Sequence, residues 1–154
     1  MGTVDKRLSD AGLVLPTAAS PIANYVPAVR TGNLLFISGQ LPLKDGKVAF
    51  EGHVGNTLSI DQGVEAAKLC ALNIIAQAKS ALGGDLDKVM RVVKLTGFVA
   101  CLPGFGQHPQ VINGASDVMV QVFGDAGRHA RAAVGAPSLP RNAAVEVEAV
   151  FEVA

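Results

Sequence analysis

Ala144-Val145-Glu146-Val147-Glu148-Ala149-Val150-Phe151-Glu152-Val153 is the stretch on which the fold turns. Its alternation has a period of two. Val145, Val147, Ala149, Phe151 and Val153 face one way, and Glu146, Glu148 and Glu152 face the other. A strand with one apolar and one acidic side belongs in a sheet whose helices cover only one face.

Working outward from this strand, Pro137 to Asn142 reads as a turn and Ala130 to Val134 as another strand. Pro109 suits the first turn of a helix that runs to about Phe123 despite Gly114. Leu102 to Pro109 is a Gly/Pro loop; its Gly104-Phe105-Gly106 lacks the third glycine of a dinucleotide fingerprint. Val89 to Ala100 reads as a long strand with Val89, Val93, Leu95 and Val99 on one face. The clearest helix begins at Ser59, which forms a capping box with Gln62. Val64, Ala67, Ala71, Ile74, Ala78 and Leu82 then recur every three or four residues, and Gly83-Gly84 ends the pattern.

Towards the N-terminus, Lys44 to Lys47 is a turn followed by a short strand, Val48 to Glu51. Tyr25 to Arg30 and Leu34 to Leu41 read as a hairpin joined at Thr31-Gly32-Asn33. Leu34-Leu35-Phe36-Ile37 is apolar without interruption, the pattern of a strand buried on both faces. Pro16 to Pro21 is a linker, and Thr3 to Gly12 is a short helix. The order β-β-β-α-β-α-β-β makes an α+β protein: a mixed sheet with two main helices packed on one face.

The chain has 154 residues, the length of one domain. It is 49% hydrophobic and 17% charged, with 13 basic residues against 13 acidic ones. That balance excludes intrinsic disorder, and it argues against bulk electrostatic binding of nucleic acid or an anionic membrane. No apolar run is long enough for a membrane span. Met1 to Leu15 carries Asp5, Lys6, Arg7 and Asp10, so it does not read as a secretory leader. Two cysteines, Cys70 and Cys101, make neither a disulfide scaffold nor a metal motif. Self-association remains as the outlet for the apolar surplus. Two helices cannot cover both sheet faces, so the face that includes Leu34 to Leu41 is expected to pack against other subunits.

The usual catalytic templates are absent: no Gly-x-Ser-x-Gly, Walker loop, His-Glu-x-x-His or Cys-x-x-Cys occurs. His53, His108 and His129 are scattered and read as loop or surface histidines. Cys70 falls in the helical core pattern, and Cys101 sits at a strand end. Arg131 stands alone in the apolar stretch Ala130 to Ala136. It must meet a carboxylate, a phosphate or solvent, and spacing alone leaves a salt bridge and a ligand site equally open. Glu146, by itself, reads as a solvated glutamate.

Three segments occur in order: Asn24-Tyr25-Val26; Gly32-Asn33-Leu34-Leu35-Phe36-Ile37-Ser38-Gly39-Gln40-Leu41-Pro42; and His129-Ala130-Arg131 through Leu139-Pro140 to Val145-Glu146-Val147-Glu148-Ala149. Together they resemble the signature segments of the RidA/YjgF family, also called L-PSP endoribonuclease-like, over roughly Pro21 to Val153. The resemblance implies a chorismate-mutase-like α+β fold and a homotrimer with three clefts between subunits. It implies a single such domain across 1–154, with 1–20 as an N-terminal extension. It also implies enamine/imine deaminase activity, the hydrolysis of reactive 2-enamino or 2-imino acids to 2-keto acids and ammonia. Arg131 matches the family's carboxylate-binding arginine, and Glu146 matches the acidic residue near the attacking water. Tyr25, Ser38, Gly39 and Asn113 match cleft-lining positions, and Ala133 stands where many members carry cysteine. No metal and no cofactor is implied, since an iminium carbon is already electrophilic. The loop Leu102 to Asn113 is longer than in short members, which marks a divergent, longer branch. The expected ligand is a small carboxylate-bearing metabolite and the expected compartment the cytoplasm, with no membrane partner. A non-catalytic carboxylate sensor is the competing reading. RNA cleavage is disfavoured by the sparse aromatics and the zero net charge.

Overall fold

A computed structural model describes residues 1–20 and 23–154. Helix α1 (Thr3–Asp10) is followed by a hairpin of β1 (Ala28–Thr31) and β2 (Leu34–Gln40), then by a small ribbon of β3 (Leu43–Lys44) and β4 (Lys47–Val48). Helix α2 (Ile60–Ala81), strand β5 (Val89–Ala100), helix α3 (His108–Phe123) and strands β6 (Ala130–Ala136) and β7 (Val145–Val153) complete the chain. The main sheet has the order β1-β2-β7-β5-β6. β6 runs parallel to β5 through the α3 crossover, and the other neighbours are antiparallel. The α+β reading and the two main helices are as the sequence predicts.

Strand β7 lies at the centre. Its odd-numbered residues, from Val145 to Val153, are all buried beneath the helices, as the alternation requires. Phe151 meets Phe123 of α3 edge-on, with ring centroids 5.9 Å apart. Ser59 forms both halves of the predicted capping box with Gln62, and Gly83 and Gly84 take positive φ just beyond the end of α2. Every residue of α2 from Cys70 to Ala78 is buried, on all sides of the helix rather than on one stripe. The extra cover comes from α3 and from the chain before β1, where the Gln77 amide donates to the Ala19 carbonyl at 2.7 Å. Gly114 is what lets α3 approach α2, because a Cβ there would overlap the Val64 carbonyl.

Four expectations change. β1 starts at Ala28, not Tyr25, because Pro27 has no N–H for the ladder. Instead Ser38 holds this segment, its N–H donating to the Pro27 carbonyl at 2.9 Å and its hydroxyl to Val26 at 2.8 Å. β2 is not buried on both faces: Leu35 and Ile37 are 2% exposed, but Leu34 is 37% and Phe36 43% exposed. In β5 the core residue is Val92 rather than Val93, because register shifts after Val89 and Val92 change the phase of the alternation. The predicted strand from Val48 to Glu51 shrinks to β4, with Glu51 making only a bridge to Ala143. Residues 13–20 carry no helix or strand, in keeping with the linker; Pro21, which closes that stretch and opens the family resemblance, lies outside the described residues.

The sheet face opposite the helices is uncovered within the chain. It presents Phe36 and Leu34 from β2, Val29 from β1 and Val134 from β6, all exposed, around the carboxylates of β7.

Candidate active site

Arg131 lies on β6, an edge strand of the sheet. It pairs with Leu95, a core residue, so its side chain is on the helix side, against α3. There Nη1 donates to Asn113 Oδ1 at 2.8 Å and to Ser116 Oγ at 3.2 Å. Both acceptors are neutral. Among the described residues, no carboxylate lies within ion-pair distance of this guanidinium. The structural salt bridge that spacing left open is therefore not made within the chain. A half-buried cation keeps its full charge beside an apolar strand, which is the electrostatic setting of an anion site. Asn113 and Ser116 reach Arg131 together because residues one turn apart share a helix face. Ala133, two residues along β6, lies on the same side of the strand.

Glu146 is elsewhere. It pairs with Phe98 of β5, which pairs with Val134 of β6, so it belongs to the uncovered face. Its carboxylate lies against Gly39 of β2 so closely that a Cβ at that position would overlap it. This is the close approach that only glycine allows. Glu146 is half-buried, and its pKa is raised, first by burial and then by the charge of Glu148. Ser38 neighbours Gly39, and through its bonds to Val26 and Pro27 it holds the segment that carries the exposed Tyr25.

The predicted site residues thus separate into two groups. Arg131, Asn113 and Ala133 form one group at the β6 edge, on the helix side. Tyr25, Ser38, Gly39 and Glu146 form the other, around β2 and β7. Glu146 and Arg131 lie two strands apart and on opposite faces, so one chain does not bring them together.

Two residues missed at the level of sequence belong to the first group. Ser116 Oγ is 2.9 Å from His129 Nε2, and His129 Nδ1 is 2.6 Å from the Gly127 carbonyl. The signal was present: Ser116 follows Asn113 by three residues on a helix, and His129 precedes Arg131 by two, just ahead of β6. The pKa of His129 is lowered, chiefly by burial and further by the nearby Arg131 charge, although the Gly127 bond works the other way. So His129 is a packed, bonded residue and not a surface histidine. The remaining histidines are also engaged: His53 Nε2 is 2.7 Å from the Pro137 carbonyl, and His108 Nε2 is 3.6 Å from Cys101 Sγ. Cys70 is fully buried in the core, where desolvation pushes its thiol pKa well up. Among the described residues, no three His, Cys, Asp or Glu side chains gather as a metal site would require. No helix among them is long and apolar enough to cross a membrane.

Residues 5–153 match the family described as "YjgF/chorismate mutase-like, putative endoribonuclease". The chain belongs to the RidA/YjgF family. Its fold is accordingly the chorismate-mutase-like α+β fold that the resemblance implied. The chain is 48% identical over 152 residues to Protein TCP17 of Trypanosoma cruzi, covering 98% of this chain and 94% of that one. It is similar to the crystal structure of Atu1372 from Agrobacterium tumefaciens, a protein of unknown function, with 52% identity, a TM-score of 0.92 and coverage of 98% and 92%. A more distant relative, 27% identical over 135 residues with coverage of 88% and 90%, is the 2-iminobutanoate/2-iminopropanoate deaminase of Dermatophagoides farinae. The RidA/YjgF family thus includes a protein named for imine deamination as well as members described as endoribonucleases.

Proposed function

We propose that this RidA/YjgF protein is a hydrolytic deaminase of small 2-imino and 2-enamino acids, working as a homotrimer with its sites between subunits. The observation that carries the reading is Arg131, an unneutralised guanidinium whose Nη1 is held by Asn113 and Ser116. A carboxylate is the anion whose geometry matches the rest of its fork. The separation of the two groups supports a shared site. A substrate on Arg131 of one subunit meets the Glu146 group only if another subunit supplies it, and the exposed apolar face gives subunits a reason to associate. Residues 1–154 act as one unit of this kind.

In the reaction, Arg131 holds the substrate carboxylate. Glu146, ionised, orients a water and takes its proton as the oxygen bonds to the imine carbon. The resulting carbinolamine collapses when the nitrogen leaves as ammonia, taking protons that include the one on Glu146, and the carbonyl of the 2-keto acid forms. Tyr25 closes over the substrate, and Ser38 and Gly39 line its floor. Ala133 puts no thiol into this chemistry. Free cysteines Cys70 and Cys101 suit a reducing compartment, which supports a cytoplasmic location.

The test is release of ammonia and 2-ketobutyrate from freshly generated 2-iminobutyrate. Wild type accelerates it, and Arg131→Ala falls to the uncatalysed rate. Equal rates in the two would sink the assignment, and tight 2-ketobutyrate binding without turnover would favour a carboxylate sensor instead.

A further inference from the structure

We propose that Ser116 and His129 are positioning residues for Arg131: a hydrogen-bond chain of fixed direction locks one nitrogen of the guanidinium and leaves its Nε/Nη2 edge for a single small carboxylate. The inference rests on Arg131 as the anion-binding group of the proposed function.

The direction of the chain follows from what each atom can do. The Gly127 carbonyl only accepts, so His129 Nδ1, 2.6 Å away, carries a proton and donates it. The imidazole is kept neutral by burial and by the neighbouring Arg131 charge. Its Nε2 is therefore bare and accepts, and the Ser116 hydroxyl donates to it at 2.9 Å. With its hydrogen committed to His129, Ser116 Oγ turns lone pairs outward and accepts from Arg131 Nη1 at 3.2 Å. Asn113 Oδ1 accepts from the same nitrogen at 2.8 Å. An Nη1 group has two hydrogens, and both are now used. Three donors remain, two on Nη2 and one on Nε; Nε–H and the Nη2–H parallel to it form the side-on edge that a carboxylate takes with two parallel bonds.

The arrangement also explains why the polar group behind Ser116 is a histidine with its far nitrogen tied to the backbone. If Nε2 carried a proton, it would compete with Arg131 as a donor to Ser116 and set a second cation beside the first. A neutral histidine of fixed tautomer avoids both, so the guanidinium charge stays available to the ligand. His129 bonds the Ser116 hydroxyl from α3, and the charge that acts on it is that of Arg131, at the start of β6 two residues on.

Three measurements test this. Binding of 2-ketobutyrate, followed by calorimetry, is compared in wild type, Ser116→Ala, Ser116→Thr, His129→Phe and Arg131→Ala. Losing one bond to a charged donor predicts about tenfold weaker binding in Ser116→Ala and His129→Phe, with Ser116→Thr close to wild type because it keeps the hydroxyl. In deamination of 2-iminobutyrate, the same two variants raise KM with little change in kcat, the pattern of lost ground-state positioning. Nitrogen-15 NMR of the imidazole shows His129 protonated at Nδ1 and bare at Nε2 at neutral pH. Wild-type binding in Ser116→Ala and His129→Phe, with binding lost in Arg131→Ala, overturns the positioning role and leaves the function standing. Wild-type binding in Arg131→Ala overturns both. An Nε2-protonated tautomer reverses the chain and overturns the inference by itself.

Discussion

Arg131 and Glu146, two strands apart in one sheet, show how differently two charged residues are used. Arg131 meets only the neutral acceptors Asn113 and Ser116 in its hydrogen bonds, so its worth depends on orientation. Glu146 is half-buried beside Gly39 and Glu148, and its pKa rises in consequence. The sign of that shift has two effects. The folded chain holds the Glu146 proton more tightly than the unfolded chain does, so ionising it costs stability once pH exceeds the ordinary carboxylate value of about 4.3. As a base, Glu146 is lost when pH falls through its raised pKa. Glu146→Gln is therefore expected to be slightly more stable than wild type at neutral pH, read by denaturant midpoint. Its residual deamination rate should lack the acid limb that wild type shows, read by a pH–rate profile. A variant less stable at neutral pH, or one that keeps the acid limb, would contradict the role given to Glu146. Both residues were visible in the sequence, Arg131 as a lone charge in an apolar stretch and Glu146 on the acidic side of an alternating strand. Their burial, and the faces they occupy, were not.

At the scale of elements, legibility tracks sequence distance. The α2 cap was readable because Ser59 and Gln62 are three residues apart. The cap of α1 was not. Gly2 offers no side chain, and the first turn is capped instead by Asp87, whose carboxylate accepts from the Thr3 and Val4 N–H groups at 2.9 Å each. Those two bonds lower the Asp87 pKa. A lowered carboxylate pKa contributes stability that is present above its unfolded value and lost as pH falls through its folded value. Asp87→Ala should thus be less stable than wild type near neutral pH, and the gap between the two should close on acidification below the ordinary carboxylate range. Thermal unfolding across pH measures this, and a gap that is constant with pH would contradict the cap. β5 teaches the same lesson from the other side. Its limits were read correctly, yet two local register shifts moved the core position from Val93 to Val92, and such shifts leave no mark on an alternation pattern.

For the whole molecule, the apolar surplus has two destinations. One lies inside: α2 is buried around most of its circumference, which requires more Ala, Leu and Ile than a one-sided helix would. The other is the uncovered sheet face, where Val29, Leu34, Phe36 and Val134 remain exposed in the single chain. A charge placed on that face, Phe36→Glu, should leave the fold intact because Phe36 is outside the core, while reducing the assembled mass seen by light scattering. Deamination should fall with it, since Arg131 and Glu146 of one chain lie on opposite faces. An unchanged mass with full activity would argue that the face is not where subunits meet.

The order of the three helices and the five strands of the main sheet, the α2 cap, the acidic and apolar sides of β7 and the family were all legible in the sequence, because each rests on periodicity or on residues close together in the chain; the two-residue strand β3, at the start of the expected turn, was not. The sequence also placed Arg131 and Glu146 in order along that family's segments. That these two residues stand on opposite faces, that Glu146 leans on Gly39, and that Ser116 and His129 stand behind Arg131 follows from the folded chain alone. Those relations depend on strand order, register and the packing of α3 on the β6 edge, which join residues through space and not along the chain.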